Sequence, residues 1–141
     1  MQKEKIIGLV IIIAFVAVVA YFFISSETKT EQIPSYVTGE MRAMYEWAKT
    51  TEGSVLLEQI PCYCGCKYEG HKHTRYCFWR DDGTFDKHGI TCSVCLDIAK
   101  KTKQMYEQGK DICDIRNEID SFYAPNAELG TKTPIPEGCE V

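Results

Sequence analysis

The hexapeptide Pro61-Cys62-Tyr63-Cys64-Gly65-Cys66 places a thiol at every second position. Cysteines at i and i+2 bond poorly to one another, because a disulfide needs suitably spaced Cα atoms and converging Cβ vectors. Each of the three therefore needs a partner elsewhere, either another cysteine or a metal ion. In chain order the candidate ligands are Cys62, Cys64, Cys66, His71, His73, Cys77, His88, Cys92 and Cys95. Cys92-Ser93-Val94-Cys95 is a C-x-x-C at an expected helix start, where two thiolates can grip one ion while the backbone N–H groups and the helix dipole favour their charge. Soft thiolates select Cu(I) and Zn, and imidazole extends the choice to Cu(II) and Zn. The residues thus predict a metal ion, copper ahead of zinc. His73 is the weakest candidate, lying in the polar run Lys72-His73-Thr74-Arg75.

Other chemistries fit less well. Leu96 follows Cys95, so the C-x-x-C-H of a covalent haem is absent. Paired C-x-x-C units of an ordinary zinc finger are also missing. An iron–sulfur cluster suits the residue types, but placement outside the membrane argues against it. Two further readings stay open. Cys62, Cys64 and Cys66 could pair with Cys77, Cys92 and Cys95 as staples in any of fifteen connectivities, or in a mixture of one disulfide and metal-bound thiols. Cys92 and Cys95 could instead exchange disulfides, with Cys92 the lower-pKa thiol nearer the helix N-terminus, although no thioredoxin-like βαβ pattern surrounds them. Cys113 and Cys139 stand apart. A disulfide between them would close a loop of 25 intervening residues, worth about 3 kcal/mol in the chain-entropy model. No Ser-His-Asp set, placed acid pair or cofactor motif points to an enzyme.

The elements that must position these residues begin after residue 30. Before them, Ile6 to Ile24 is an uncharged apolar run of 19 residues, about 28 Å long as a helix and close to the hydrocarbon thickness of a bilayer. Lys3 and Lys5 precede it and only Glu27 and Lys29 lie just beyond, which predicts a retained transmembrane helix with a cytoplasmic N-terminus. A cleaved signal peptide ending near Val18-Val19-Ala20 is the alternative. Ser25 to Gln32 reads as a tether. The remaining residues, about 110, suffice for one small domain. Eight cysteines in 141 residues imply a compartment without a glutathione buffer, and a net charge of −4 gives no nucleic-acid footprint.

Apolar residues at threes and fours from Tyr36 through Met41, Met44, Tyr45, Trp47 and Ala48 predict a first helix. Gly53 interrupts it, and Val55 to Ile60 reads as a helical turn. The glycines at 65, 70, 83 and 89 predict an irregular loop over 61–91, with a short strand or hairpin at Tyr76–Trp79 turning at Asp82-Gly83. Thr91 is the expected cap of a second helix, Cys92 to Gln108, with Gly109 as its αL stop and Asp111 as the next cap. A third helix with Ile112, Ile115, Ile119 and Phe122-Tyr123 inward ends at Pro125. The tail reads as irregular.

The segments IPCYCGCKYEGHKHTRYCF and HGITCSVCLDIAKKTKQMYEQGKDICDIRNEIDSFY resemble the PCYCGC-motif proteins, uncharacterised surface proteins of bacteria and archaea, over roughly residues 36 to 123. The resemblance implies an extracytoplasmic, membrane-tethered module of helices around a Cys-rich loop. It assigns Cys62, Cys64, Cys66, His71, Cys77, His88, Cys92 and Cys95 to the shared pattern. Many relatives are lipoproteins; this chain departs from them with its apolar run, and Cys113 and Cys139 are additions. The family brings no reaction with it. The combined expectation is a mainly α chain, with one transmembrane helix followed by a small three-helix domain bearing a Cys/His-rich irregular loop. By residue it divides into 1–5 cytoplasmic, 6–24 transmembrane, 25–35 tether, 36–124 domain and 125–141 tail. Its role would be metal binding, delivery, or service as an accessory subunit in a membrane complex.

Overall fold

The computed structural model describes residues 2–25 and 31–139, without the side chains of residues 2–6, 9–11 and 22–25. Contacts divide the chain into two units, 1–30 and 31–141. The first contains helix α1 (Gln2–Ser25). Among the described residues no helix is long and apolar enough to cross a membrane. Residues 26–30 of the tether expected over 25–35 lie outside the described residues, as do the side chains of residues 6, 9–11 and 22–24 in the span expected over 6–24.

In the second unit the helices are α2 (Gly39–Lys49), α3 (Thr51–Glu58), α4 (His88–Thr91), α5 (Ser93–Glu107) and α6 (Ile112–Tyr123), with 3-10 turns at Cys66–Glu69, Thr74–Cys77 and Ala124–Leu129. The mainly helical expectation holds; the count of three helices does not. Gly53, read as an interruption, lies inside α3. A Cβ at Gly53 would sit 2.1 Å from the Trp47 carbonyl oxygen, so glycine is there to let α3 fold back tightly onto the end of α2. Thr50 caps the new helix, its Oγ1 accepting from the Gly53 N–H at 3.0 Å. Likewise, α4 forms within the segment expected to be a loop.

Tyr36, expected on the first helix, precedes it and is exposed. The Val37 N–H closes a turn onto the Pro34 carbonyl, and Val37 takes the buried place. Helix α2 then buries Met44, Tyr45 and Ala48. Cys92, not Thr91, caps α5, because the extended backbone at Cys92 separates α5 from the turn that Thr91 completes. Gly109 adopts φ +84° as expected, with its N–H on the Tyr106 carbonyl and that of Lys110 on Met105. Asp111 caps α6 by accepting from the Asp114 N–H at 2.9 Å. Phe122, expected inward, is exposed, with the Lys101 ammonium 4.8 Å from its ring centroid.

Among the described residues no strand forms. The expected hairpin shrinks to one antiparallel bridge between Trp79 and Phe85, and Tyr76 and Cys77 belong to a 3-10 turn instead. Trp79 is fixed by burial against Tyr45 and by its Nε1–H, which donates to the Tyr45 carbonyl at 2.8 Å. The tail carries the 3-10 turn at Ala124–Leu129, is otherwise irregular, and packs closely. Thr131 and Thr133 are buried, and the Cys113–Cys139 disulfide ties the tail's end to α6.

Candidate metal centre

The hexapeptide is held from both sides. On one, the Cys62 N–H donates to Thr131 Oγ1 at 2.9 Å and the Thr131 N–H returns to the Cys62 carbonyl at 3.0 Å. On the other, Thr74 donates its hydroxyl to the Pro61 carbonyl and its N–H to that of Ile60, both at 2.9 Å. With the backbone pinned, Cys62, Cys64 and Cys66 turn towards a common centre. Cys77 enters from the end of its 3-10 turn and Cys95 from the first turn of α5. Gly89 brings in His88. A Cβ there would lie 2.9 Å from the Cys77 carbonyl and 2.8 Å from the Phe78 ring, so only glycine lets α4 approach so closely.

Six cysteines, at 62, 64, 66, 77, 92 and 95, carry free thiols. Cys62 Sγ is 3.0 Å from Cys95 Sγ, 3.4 Å from Cys64 and 3.8 Å from Cys77. Cys64 lies 3.4 Å from Cys95, and Cys66 lies 4.0 Å from Cys77. A tetrahedron of metal–sulfur bonds has sulfur–sulfur edges of about 3.8 Å, and about 3.5 Å between sulfur and imidazole nitrogen. Four sets of donor atoms lie within 4.8 Å of one another: Cys62, Cys64, Cys66 and Cys95; Cys64, His88, Cys92 and Cys95; Cys66, Cys77, His88 and Cys95; and Glu69, His71 and His88. Thiolate with imidazole at these separations fits a soft four-coordinate ion.

The two histidines differ. His88 points Nε2 at Cys64 Sγ, 3.4 Å away, while its Nδ1 lies 3.4 Å from a Glu69 carboxylate oxygen. That is the carboxylate–histidine arrangement that orients a ligand ring. His71 is buried, with Nδ1 3.4 Å from Cys77 Sγ and Nε2 3.1 Å from Arg80 Nη2. A guanidinium can only donate, so Nε2 accepts and the proton sits on Nδ1, facing the sulfur. Asp86 holds Arg80 in place, accepting from Arg80 Nε at 2.7 Å. His73 stays apart: its ring packs edge-on against Tyr76, and its buried Nδ1 has no partner among the described residues.

The thiols share protons unequally. Hydrogen bonding from Cys62 pulls Cys64 down to about 5, and the same neighbour lowers Cys66 and Cys77. Cys62 is raised by hydrogen bonding to Cys64, and Cys95 by hydrogen bonding to Cys62 and then to Cys64. Burial and the Arg80 guanidinium at Nε2 oppose a charged His71 ring, whereas hydrogen bonds to the Cys66 and Cys77 thiolates favour it. Burial also pushes Cys92 up. The helix start therefore does not leave Cys92 with a lowered pKa, and its partner Cys95 is raised as well.

A family model described as a protein of unknown function with PCYCGC motif matches residues 23–136. The chain belongs to this family. The match extends beyond the 36–123 over which the motifs carry the resemblance, and takes in the tail through Pro136. No curated protein and no solved structure matches the chain.

All eight family-pattern residues converge here, together with partners that the sequence did not single out. Glu69, Arg80 and Asp86 orient the imidazoles. Thr131 and Thr133 brace the hexapeptide from the tail, and Arg116 of α6 ties the tail to Gln59 just before it. Thr133 Oγ1 contacts Thr131 Oγ1 at 2.9 Å and donates to the Lys72 carbonyl at 2.8 Å. Arg116 donates to the carbonyls of Gln59, Thr133 and Pro134 and pairs with Asp120. Arg116 sits on the inward face of an amphipathic helix, and a charge there was the one available signal.

Proposed function

We propose that this chain is a membrane-anchored, extracytoplasmic metal-binding protein that takes a soft ion, copper(I) ahead of zinc, for delivery or as an accessory subunit of a membrane complex. One observation carries the proposal: six unpaired thiols and His88 converge at separations close to the edges of a metal–thiolate tetrahedron. Where these thiols ionise, a bound cation offsets the charge of the thiolates in so enclosed a site. Thiolate softness favours copper(I), and divalent zinc fits the same donors. The packing of Cys92 among Cys64, His88 and Cys95 favours a ligand set over a disulfide-exchange pair.

The anchor is the 19-residue apolar run with Lys3 and Lys5 before it. Ile12, Ile13, Phe15, Val16 and Val18 are exposed around α1, as suits a helix that meets lipid on every side. An anchored chain resists carbonate extraction and exposes residues 31–141 to protease added from outside. A soluble mature form would refute the anchor.

The test of the metal reading is elemental analysis of the purified full-length chain beside a free-thiol count. Bound copper or zinc, with six thiols recovered after chelation, is the expected result. A metal-free chain with residues 62, 64, 66, 77, 92 and 95 all in disulfides would refute it.

A further inference from the structure

Resting on that reading, we propose that the cluster holds two metal ions in unlike sites that share the Cys95 thiolate as a bridge. The six free thiols and His88 exceed what one four-coordinate ion can take, and a single ion would leave two or three thiols without a metal. Each of the three sulfur-containing sets includes Cys95. Assigning one ion to Cys64, His88, Cys92 and Cys95 leaves Cys62, Cys66 and Cys77. Those three are mutually close. Cys62 and Cys66 lie within 4.8 Å, and Cys77 is 3.8 Å from one and 4.0 Å from the other. Cys95 completes their tetrad, 3.0 Å from Cys62 and within 4.8 Å of Cys66 and Cys77. Two ions sharing Cys95 use every free thiol and leave none over.

The position of Cys95 suits a bridge. It is fully buried, in the first turn of the 15-residue helix α5, where the helix dipole favours a sulfur that keeps negative charge between two cations. His71 stays outside the second tetrad. Its Nδ1–H points at Cys77, with the opposite nitrogen occupied by Arg80, so it is a positioning residue that donates to a ligand sulfur. The two sites are unlike in access. Cys62, Cys66, Cys77 and Cys95 are buried, whereas Cys64, Cys92 and His88 reach the surface. The inner ion holds the hexapeptide in place, and the outer ion is the one exchanged with a partner.

The experiment uses the full chain in detergent, reduced, stripped and titrated separately with zinc(II) and cobalt(II). Native mass spectrometry is expected to show two zinc ions per chain, and a chelator should remove one at least tenfold faster than the other. The cobalt paramagnetic resonance signal should grow through the first equivalent. It should then fall to less than half per cobalt at the second, as two spins couple through a shared thiolate. Because Cys95→Ser could fail to fold, the coupling in the unaltered protein is the primary readout. His71→Gln is expected to keep both ions; loss of one would overturn the assignment of Cys95 over His71 as the fourth donor. Two uncoupled cobalt ions would overturn the bridge. One ion per chain, with two or three thiols still open to alkylation, would overturn the dinuclear site and leave metal binding intact. No bound ion would overturn the metal reading as well.

Discussion

Replacing Thr131 by valine removes one oxygen at nearly constant volume, and that oxygen is the acceptor for the Cys62 N–H. Cys62 is fully buried and Thr131 is 7% exposed, so water cannot reach the abandoned donor. An orphaned buried N–H costs about 1–3 kcal/mol. Thr133 Oγ1 also loses a neighbour but keeps its bond to the Lys72 carbonyl, which places the total near the middle of that range. About 2 kcal/mol corresponds to a fall of roughly 30-fold in the folded-to-unfolded ratio. Urea denaturation of the metal-free chain should show the midpoint falling by about 1 M with an unchanged slope, if the slope is near 2 kcal/mol/M. Because the same bond fixes the backbone of a ligand, metal affinity should drop about tenfold or more, in the range typical of outer-shell partners. Thr38→Val is the control: Thr38 is exposed and its side chain makes no cap bond, so its effect should stay within about 0.5 kcal/mol. A Thr131→Val chain as stable as that control would refute the bracing role of the tail.

Gly53→Ala should destabilise the second unit by about 1–3 kcal/mol through overpacking, since the new Cβ meets the Trp47 carbonyl; thermal unfolding reads this directly. Cys113→Ala, made together with Cys139→Ala, should cost about 2–4 kcal/mol, and wild type treated with reductant should approach the double variant. Asp97 supplies a pH test. Burial opposes its charge, but the Tyr123 hydroxyl at 2.6 Å and Lys101 outweigh it and hold the carboxyl below its ordinary value. A depressed folded pKa means stability present above the unfolded value of about 4 and lost as pH falls through the folded one. Wild type should therefore lose more of its thermal midpoint than Asp97→Asn on acidification from about pH 5 to pH 2.

The long helices were legible because their signals are local. The Gly109 stop, the Asp111 cap and the apolar spacing from Ile98 to Met105 each depend on residues a few positions apart. Gly53 and Gly89 misled for the opposite reason: each is glycine because of a neighbour it must approach, which spacing alone does not reveal. The ligands were legible as types, since crowded thiols have few other uses. What joins them was not. The bond between Thr131 and Cys62 spans 69 positions, and the roles of Arg80 and Asp86 follow from where His71 comes to rest. Likewise, the rise that its surroundings impose on Cys92 could not be read from its place at a helix start.

X-ray absorption at the metal edge of the reconstituted full-length chain tests the central claim most directly. A shell dominated by sulfur at about 2.3 Å, with a minor nitrogen contribution near 2.0 Å, is the predicted result. A shell of oxygen and nitrogen alone, with the six thiols free to alkylate while the ion is bound, would contradict it.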